Sequence, residues 1–436
     1  MDKHLLLNII KSELERSTGC TDPGSVALAA ARATRELGAM PKKIEVSVSP
    51  NVFKNGVSVG IPGTGKRGLV VAAALGAVIA RDDAGLAIFD FVTPELLAHA
   101  EAMVAQDRVQ VRYADSPDPL YVRAEVSSGT RHAHAIIAND YSNIVEVGRD
   151  DAIIFSSPIA KASGVQDALA GCKLSSLFDL VDTMKPDELE FLMQAAEINL
   201  QAAQLGLKSE SLKLGRVLEQ RATNLPQPFA AMHTAQVWTS AASEARMAGL
   251  PVTVMAITGS GNHGITFSLG VLAVAQTLGT PREKLLRALA YSALVTVVIK
   301  SYVHRMTAFC GCAVAASTGV AAGTVYLLGG DYAIAERAMQ SVIGTLAGML
   351  CDGAKESCAY KLSTSASLAI QSAFAAVQGA SIPSGMGIVG NTIDDSFANL
   401  GRLNHPGMIA TDQLVLSLIE EGQQVPVRHL SAIGVK

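Results

Sequence analysis

The sequence predicts a mainly helical α+β fold: a large helical catalytic body with a smaller α+β unit set into its N-terminal third. Three observations carry this. From about residue 175 to the end, apolar residues recur at helical spacing. Between about 85 and 155 the pattern changes to short alternating runs separated by turn residues. Hydrophobic residues make up 49% of the 436 residues but aromatic ones only 5%. Ala, Gly, Val and Leu must therefore build the core, which suits helices in close contact.

In chain order, residues 1–40 read as a helix broken at "TGCTDPGS" and a second helix through "VALAAARATRELG". "KKIEVSVSPNVF" alternates at period two and reads as a strand. "NGVSVGIPGTGKRG" reads as a Gly-rich loop and "LVVAAALGAVIA" as a buried helix. "PELLAHAEAMVAQD" is an amphipathic helix, and "VQVRYA", "LYVRAEVSS", "RHAHAIIAN" and "NIVEVG" read as strands, with residues 44–50 a candidate to join their sheet. Gly-rich joints at 259–264, 329–330 and 384–390 interrupt the later helices. The expected units are 1–83, part of the catalytic body; 84–158, the small α+β domain; and 159–436, the helical catalytic domain.

Composition excludes several function classes. A net charge of −4 offers no basic field for nucleic acid. Residues 308–330 carry no charge and are long enough to cross a bilayer. They are rich in Gly, Ser, Thr and Cys and lack flanking basic clusters, so a buried helix broken near its glycines is the better reading. The N-terminus is too charged for a signal-peptide core, and the expected location is cytoplasmic, without membrane association. In that reducing compartment the six cysteines point to metal binding, redox chemistry or burial rather than disulfides.

The stretch "CDGAKESCAYKLSTSAS", residues 351–367, concentrates candidates. On one helix, Cys351 and Cys358 would share a face, with Lys361 near it. Cys310 lies in "HRMTAFCGC", just after Lys300, His304 and Arg305. Three thiols from two segments suit an iron–sulfur cluster with one iron left free of protein thiolate. Zinc is the alternative, although these spacings match no common zinc pattern. Cys312 is either a substitute ligand or part of the core, and Cys172 reads as structural. Cys20 sits in a turn before a helix start, where a thiol pKa is lowered. "TGSGNHGIT" offers Ser260, Gly261, Asn262 and His263 in a Gly-rich turn able to cradle an anion, and Ser363, Thr364 and Ser365 are a second candidate for a carboxylate.

"GCTDP", "SPNVFKNG", "PGTGKRG", "GSGNHGIT", "IKSYVHRMTAFCGC" and "GMLCDGAKESCAYKLSTSAS" stand in this order along essentially the whole chain. Together they resemble the L-cysteine desulfidase family, iron–sulfur relatives of the L-serine dehydratase α chain. The resemblance implies a 4Fe–4S cluster on Cys310, Cys351 and Cys358. It makes Cys20 a fourth functional cysteine, acting as base or transiently touching the open iron. The implied reaction is β-elimination from L-cysteine to hydrogen sulfide, pyruvate and ammonia. Lys300, Arg305 and Lys361 would then place positive charge near the developing carbanion. The small-molecule substrate is the expected partner, in a homo-oligomer for which a dimer is the candidate. The chain departs from iron–sulfur serine dehydratases in reading "CDGAKESCAYK" after its first paired cysteine, in having His304 before Arg305, and in lacking a cysteine in its C-terminal "LSAIGVK". Alternatives are L-serine or another β-substituted amino acid as substrate, pyridoxal phosphate on Lys300, or a non-catalytic ligand-binding or membrane-associated protein.

Overall fold

Alternation in "KIEVSV" and in the segments beyond residue 108 builds one six-stranded sheet. We describe it from a computed structural model covering residues 1–114, 116, 118–158, 163–220 and 224–423. Eight strands occur among these residues: β1 (Leu14–Thr18), β2 (Lys43–Val48), β3 (Val109–Tyr113), β4 (Tyr121–Ser128), β5 (Arg131–Ala138), β6 (Ile144–Arg149), β7 (Ala152–Ser156) and β8 (Thr253–Ile257). The large sheet runs in the order β3-β2-β4-β5-β6-β7. β2 is parallel to β3, and the remaining neighbours are antiparallel. Residues 44–48 thus join the sheet as expected, in an interior position.

One face of the sheet is apolar. Val46, Val122, Ala124, Val126, Ala133 and Ala135 are fully buried in the core shared with the helix Thr21–Leu37. Each fully buried valine contributes about 1.5–3 kcal/mol. The helix Leu69–Ile79 packs on that first helix closely enough that a Cβ at Gly76 would lie 2.1 Å from the Ala27 carbonyl oxygen. Both helices share the core of the sheet unit, so much of the first 83 residues packs with the sheet and not with the helical body.

The second core is helical. The helices Phe229–Met247, Gly261–Leu278, Arg282–Val303, Ser317–Leu327, Tyr332–Leu346 and Cys358–Val377 enclose it. Small residues set the spacing: a Cβ at Gly319 would lie 2.3 Å from the Ser292 carbonyl oxygen. The fold is mainly α with a sheet-bearing unit, as the periodicities predict. Arg282–Val303 is long and apolar enough to cross a membrane, but most of its surface is buried within the protein. The uncharged stretch after residue 308 is buried too, as a bridge at Phe309, a π-helical turn Cys312–Ala316 and the helix Ser317–Leu327.

Three local readings need correction. "PNVFKNG" is a short helix, Pro50–Gly56, and not the end of a strand. Proline's fixed φ and missing N–H suit a first helical turn. β1 and β8 pair antiparallel in a ribbon that joins distant parts of the chain, where no strand was expected. Cys351 and Cys358 do not share a helix. Cys351 is extended, the chain turns at Gly353 with φ +88, and the helix begins at Cys358.

Candidate active site

The cysteine geometry begins with a single β-bridge between Phe309 and Leu350. Cys310 N–H donates to the Met349 carbonyl at 2.7 Å, and Cys351 N–H donates to the Ala308 carbonyl at 2.8 Å. In this antiparallel arrangement Cys310 and Cys351 are diagonal neighbours on one face, with typical separations of about 7–8 Å. Cys358 packs against the core that contains Cys310 and Cys312. Its pKa is pushed up to about 11 by burial, then by the charge of Cys310. Cys312 hydrogen-bonds the Cys310 sulfur, which lowers the pKa of Cys310 and raises that of Cys312. Backbone pairing thus relates Cys310 to Cys351, the helix face expected to join Cys351 and Cys358 is absent, and Cys312 lies with the trio.

Cys358 also packs against a small cluster of Cys20, Val59 and Met247. This brings the N-terminal thiol to the cysteine site across more than 300 residues of sequence. Cys20 is the N-cap of the helix Thr21–Leu37, as its turn residues predict. The expected lowering of its pKa is not found. Burial, reinforced by Asp22, pushes it up to about 12. Desolvation at 4% exposure outweighs the helix terminus. All six cysteines are free thiols. Cys172 lies elsewhere on the helical core, its thiol donating to the Ala168 carbonyl at 3.8 Å.

The Gly-rich turn leads from β8 into the helix Gly261–Leu278. Ser260 caps that helix by accepting from His263 N–H. Thr258 Oγ1 donates to the Ile257 carbonyl, so His263 Nδ1–H donates to Thr258 Oγ1 and Nε2 is left as an acceptor. Nε2 faces Gly311, where a Cβ would lie 2.4 Å away. Burial, then Lys300 and Arg246, holds the His263 pKa well below its usual value. Thr258, at φ 53, is a β-branched residue in the left-handed region. Such strain concentrates at functional sites.

Lys300 is buried at the end of its helix and donates to the Arg305 carbonyl at 2.9 Å. Burial, then Arg305, lowers its pKa to about 7, against the opposing influence of Cys312, Cys351 and Glu13. It is therefore not the fixed positive charge its sequence position suggests. Arg305 pairs with Asp140 at 2.9 Å and Glu13 at 3.5 Å. Lys361 donates to Asp352 and to the Leu350 carbonyl, on the face of its helix near Cys358. Burial opposes its charge, but Asp352 and the fields of Cys310 and Cys358 raise its pKa.

Ser363, Thr364 and Ser365 lie within the helix Cys358–Val377 and not at its start. Their N–H groups belong to the helix ladder, Thr364 faces solvent, and Ser365 Oγ donates to the Leu362 carbonyl. Sequence reasoning missed Arg246, a buried guanidinium beneath Gly261 that bonds the Gly19 carbonyl and Asn262. It also gave Asp22 no role, although Cys20 donates to this buried carboxylate at 3.5 Å. A polar residue inside a mostly apolar helix was the available signal for Arg246.

A cavity of about 1360 Å³ opens beside these groups, lined by Glu13, Thr258, Lys300, His304, Arg305 and Met306 among others. His304, at φ 63, ends the Arg282–Val303 helix there, and its Nδ1 meets Gln166 at 2.8 Å. Among the described residues, no three His, Cys, Asp or Glu side chains converge on one point as a single metal ion needs. A cluster makes a different demand, because each thiolate meets a different iron. Free thiols on a bridge and a neighbouring helix start suit that demand. The C-terminal "LSAIGVK" lies outside the described residues.

Residues 83–417 match the profile described as serine dehydratase alpha chain. A UPF0597 protein of Methanocella arvoryzae is 53% identical over 419 residues, which span 96% of this chain and 99% of that protein. A UPF0597 protein of Oleidesulfovibrio alaskensis is 37% identical over 416 residues, 95% of this chain and 97% of its own. Another, of Bacteroides thetaiotaomicron, is 36% identical over 420 residues, with 96% and 98% covered. These matches take in both cysteine segments and the Gly-rich turn, and the chain belongs to the serine dehydratase alpha chain family.

Proposed function

We propose that this protein is an iron–sulfur lyase that removes hydrogen sulfide from L-cysteine by β-elimination, leaving aminoacrylate that hydrolyses to pyruvate and ammonia. The observation that carries the reading is the neighbourhood of Cys310 and Cys351 on one bridge and Cys358 at an adjoining helix start, with Cys20 in the small cluster against which Cys358 packs. Cys310, Cys351 and Cys358 would hold a 4Fe–4S cluster. When bound, it supplies a Lewis acid with an open position for the leaving thiolate.

The chain's own residues supply the rest. Cys20 is the candidate base for the Cα proton. Its thiol is held toward Asp22, which offers the first acceptor for the thiol proton. Lys300, with a pKa near 7, can give or take a proton at the cavity wall. Burial of both groups excludes water from the reactive intermediate. The family description favours L-serine as a second substrate reading. The test is an anaerobic assay of pyruvate from L-cysteine and L-serine in parallel, with sulfide measured for cysteine. Sulfide and pyruvate in equal amounts from cysteine are expected. Pyruvate from serine alone would overturn the cysteine reading.

A further inference from the structure

A buried guanidinium and a buried carboxyl lie near each other at the Cys20 turn without pairing. Arg246, 2% exposed, donates from Nε to the Gly19 carbonyl at 3.0 Å and from Nη1 to Asn262 Oδ1 at 3.2 Å. Among the described residues no carboxylate comes within 4.0 Å of it. Asp22, 3% exposed, accepts from Cys20 at Oδ2, but its Oδ1 has no hydrogen-bond partner among the described residues. Burial raises the Asp22 pKa to about 7, and Arg246 lies near enough to oppose that rise.

An apolar interior ordinarily drives such neighbours into an ion pair, because each unpaired charge is costly there. Tethers prevent it. Arg246 is fixed by two acceptors and by Gly261 above it, where a Cβ would fall 2.4 Å from Nε. Asp22 is fixed in the first turn of its helix and bonded to Cys20. A buried guanidinium and a buried carboxyl with an unpartnered oxygen, held apart, fit a ligand that carries a carboxylate and an ammonium on one carbon.

We propose that Asp22 and Arg246 form a clamp for the head group of an α-amino acid: Asp22 Oδ1 accepts from the ammonium and the Arg246 guanidinium takes the carboxylate. The clamp rests on the lyase reading for its substrate class and explains how that substrate's Cα is presented to Cys20. Asn55, which influences Asp22, donates to Met306 Sδ in the wall of the large cavity. Oδ1 is sealed from solvent, so entry requires the flexible Met306 or Asn55 side chain to move aside.

The test uses unreactive probes on the full chain purified anaerobically. L-2-aminobutyrate carries both charges, butyrate lacks the ammonium, and propylamine lacks the carboxylate. Calorimetry of the unsubstituted protein should show L-2-aminobutyrate binding at least about 30-fold tighter than either other probe. Asp22→Asn should bring its affinity down to that of butyrate while leaving butyrate within twofold. Arg246→Met should bring it down to that of propylamine. Equal affinities for the three probes on the unsubstituted protein overturn the clamp whether or not the variants fold. So does equal weakening of all probes in a folded Asp22→Asn. Binding with the expected preference, but no sulfide from L-cysteine, would retain the clamp and sink the reaction.

Discussion

His263 Nε2 stands against the α-carbon of Gly311, the residue between Cys310 and Cys312. Gly311 has an ordinary helical backbone, with φ −60 and ψ −34, so space alone demands glycine here. His263 cannot easily retreat, because Thr258 holds its other nitrogen at 2.8 Å. Gly311→Ala should therefore cost about 1–3 kcal/mol as overpacking. It should also lower iron content by shifting Cys310. Urea unfolding and iron analysis check this, and an unchanged midpoint with full iron would show that the contact is soft.

Cys310, Cys351 and Cys358 should each be required for bound iron. Replacing any one by Ser should remove both iron and activity, while Cys172→Ser, whose native thiol bonds the Ala168 carbonyl, keeps both. Oxygen and iron chelation should abolish activity, since an iron without a protein thiolate is open to both. Full iron in Cys351→Ser would remove it from the ligand set and favour Cys312 in its place.

Cys20 should matter for turnover and not for iron. Cys20→Ala is expected to retain iron and release sulfide at least about 100-fold more slowly, a usual effect of losing a general base. With its pKa pushed up to about 12, Cys20 in the metal-free protein should resist iodoacetamide at neutral pH, whereas Cys310, lowered by Cys312, should react first on opening. Mass spectrometry of labelled peptides gives the order. Rapid Cys20 labelling, or normal turnover by the variant, would remove its assigned role.

Lys300 gives a pH signature. Its pKa drops from an ordinary 10.5 to about 7 on folding, chiefly through burial. Between these values the unfolded chain binds more protons than the folded one, so this group's contribution to stability rises with pH across that window and is level above it. The metal-free protein should therefore gain stability relative to Lys300→Met as pH increases from 7 to 10. Urea midpoints at several pH values measure the gap, and a constant gap would place a charged lysine in the fold.

Short-range chemistry made much of this protein legible. Period-two alternation gave the strands Lys43–Val48 and Tyr121–Ser128, helical spacing gave the helical body, and Cys20 was placed correctly just before a helix. The cysteine segments could be named from their residues because thiols with nearby lysines are unusual in so apolar a chain. What distance in sequence hides, only the tertiary structure decided. The Phe309–Leu350 bridge aligns Cys310 with Cys351, and Cys358 begins a separate helix where a face shared with Cys351 was expected. Packing on Val59 and Met247 brings Cys20 to Cys358, and burial there reverses the expected shift of its pKa. Arg246 and Asp22 acquire meaning only when the fold buries them together. Alternation and capping act over a few residues, whereas desolvation and charge depend on which distant segments exclude water from a site.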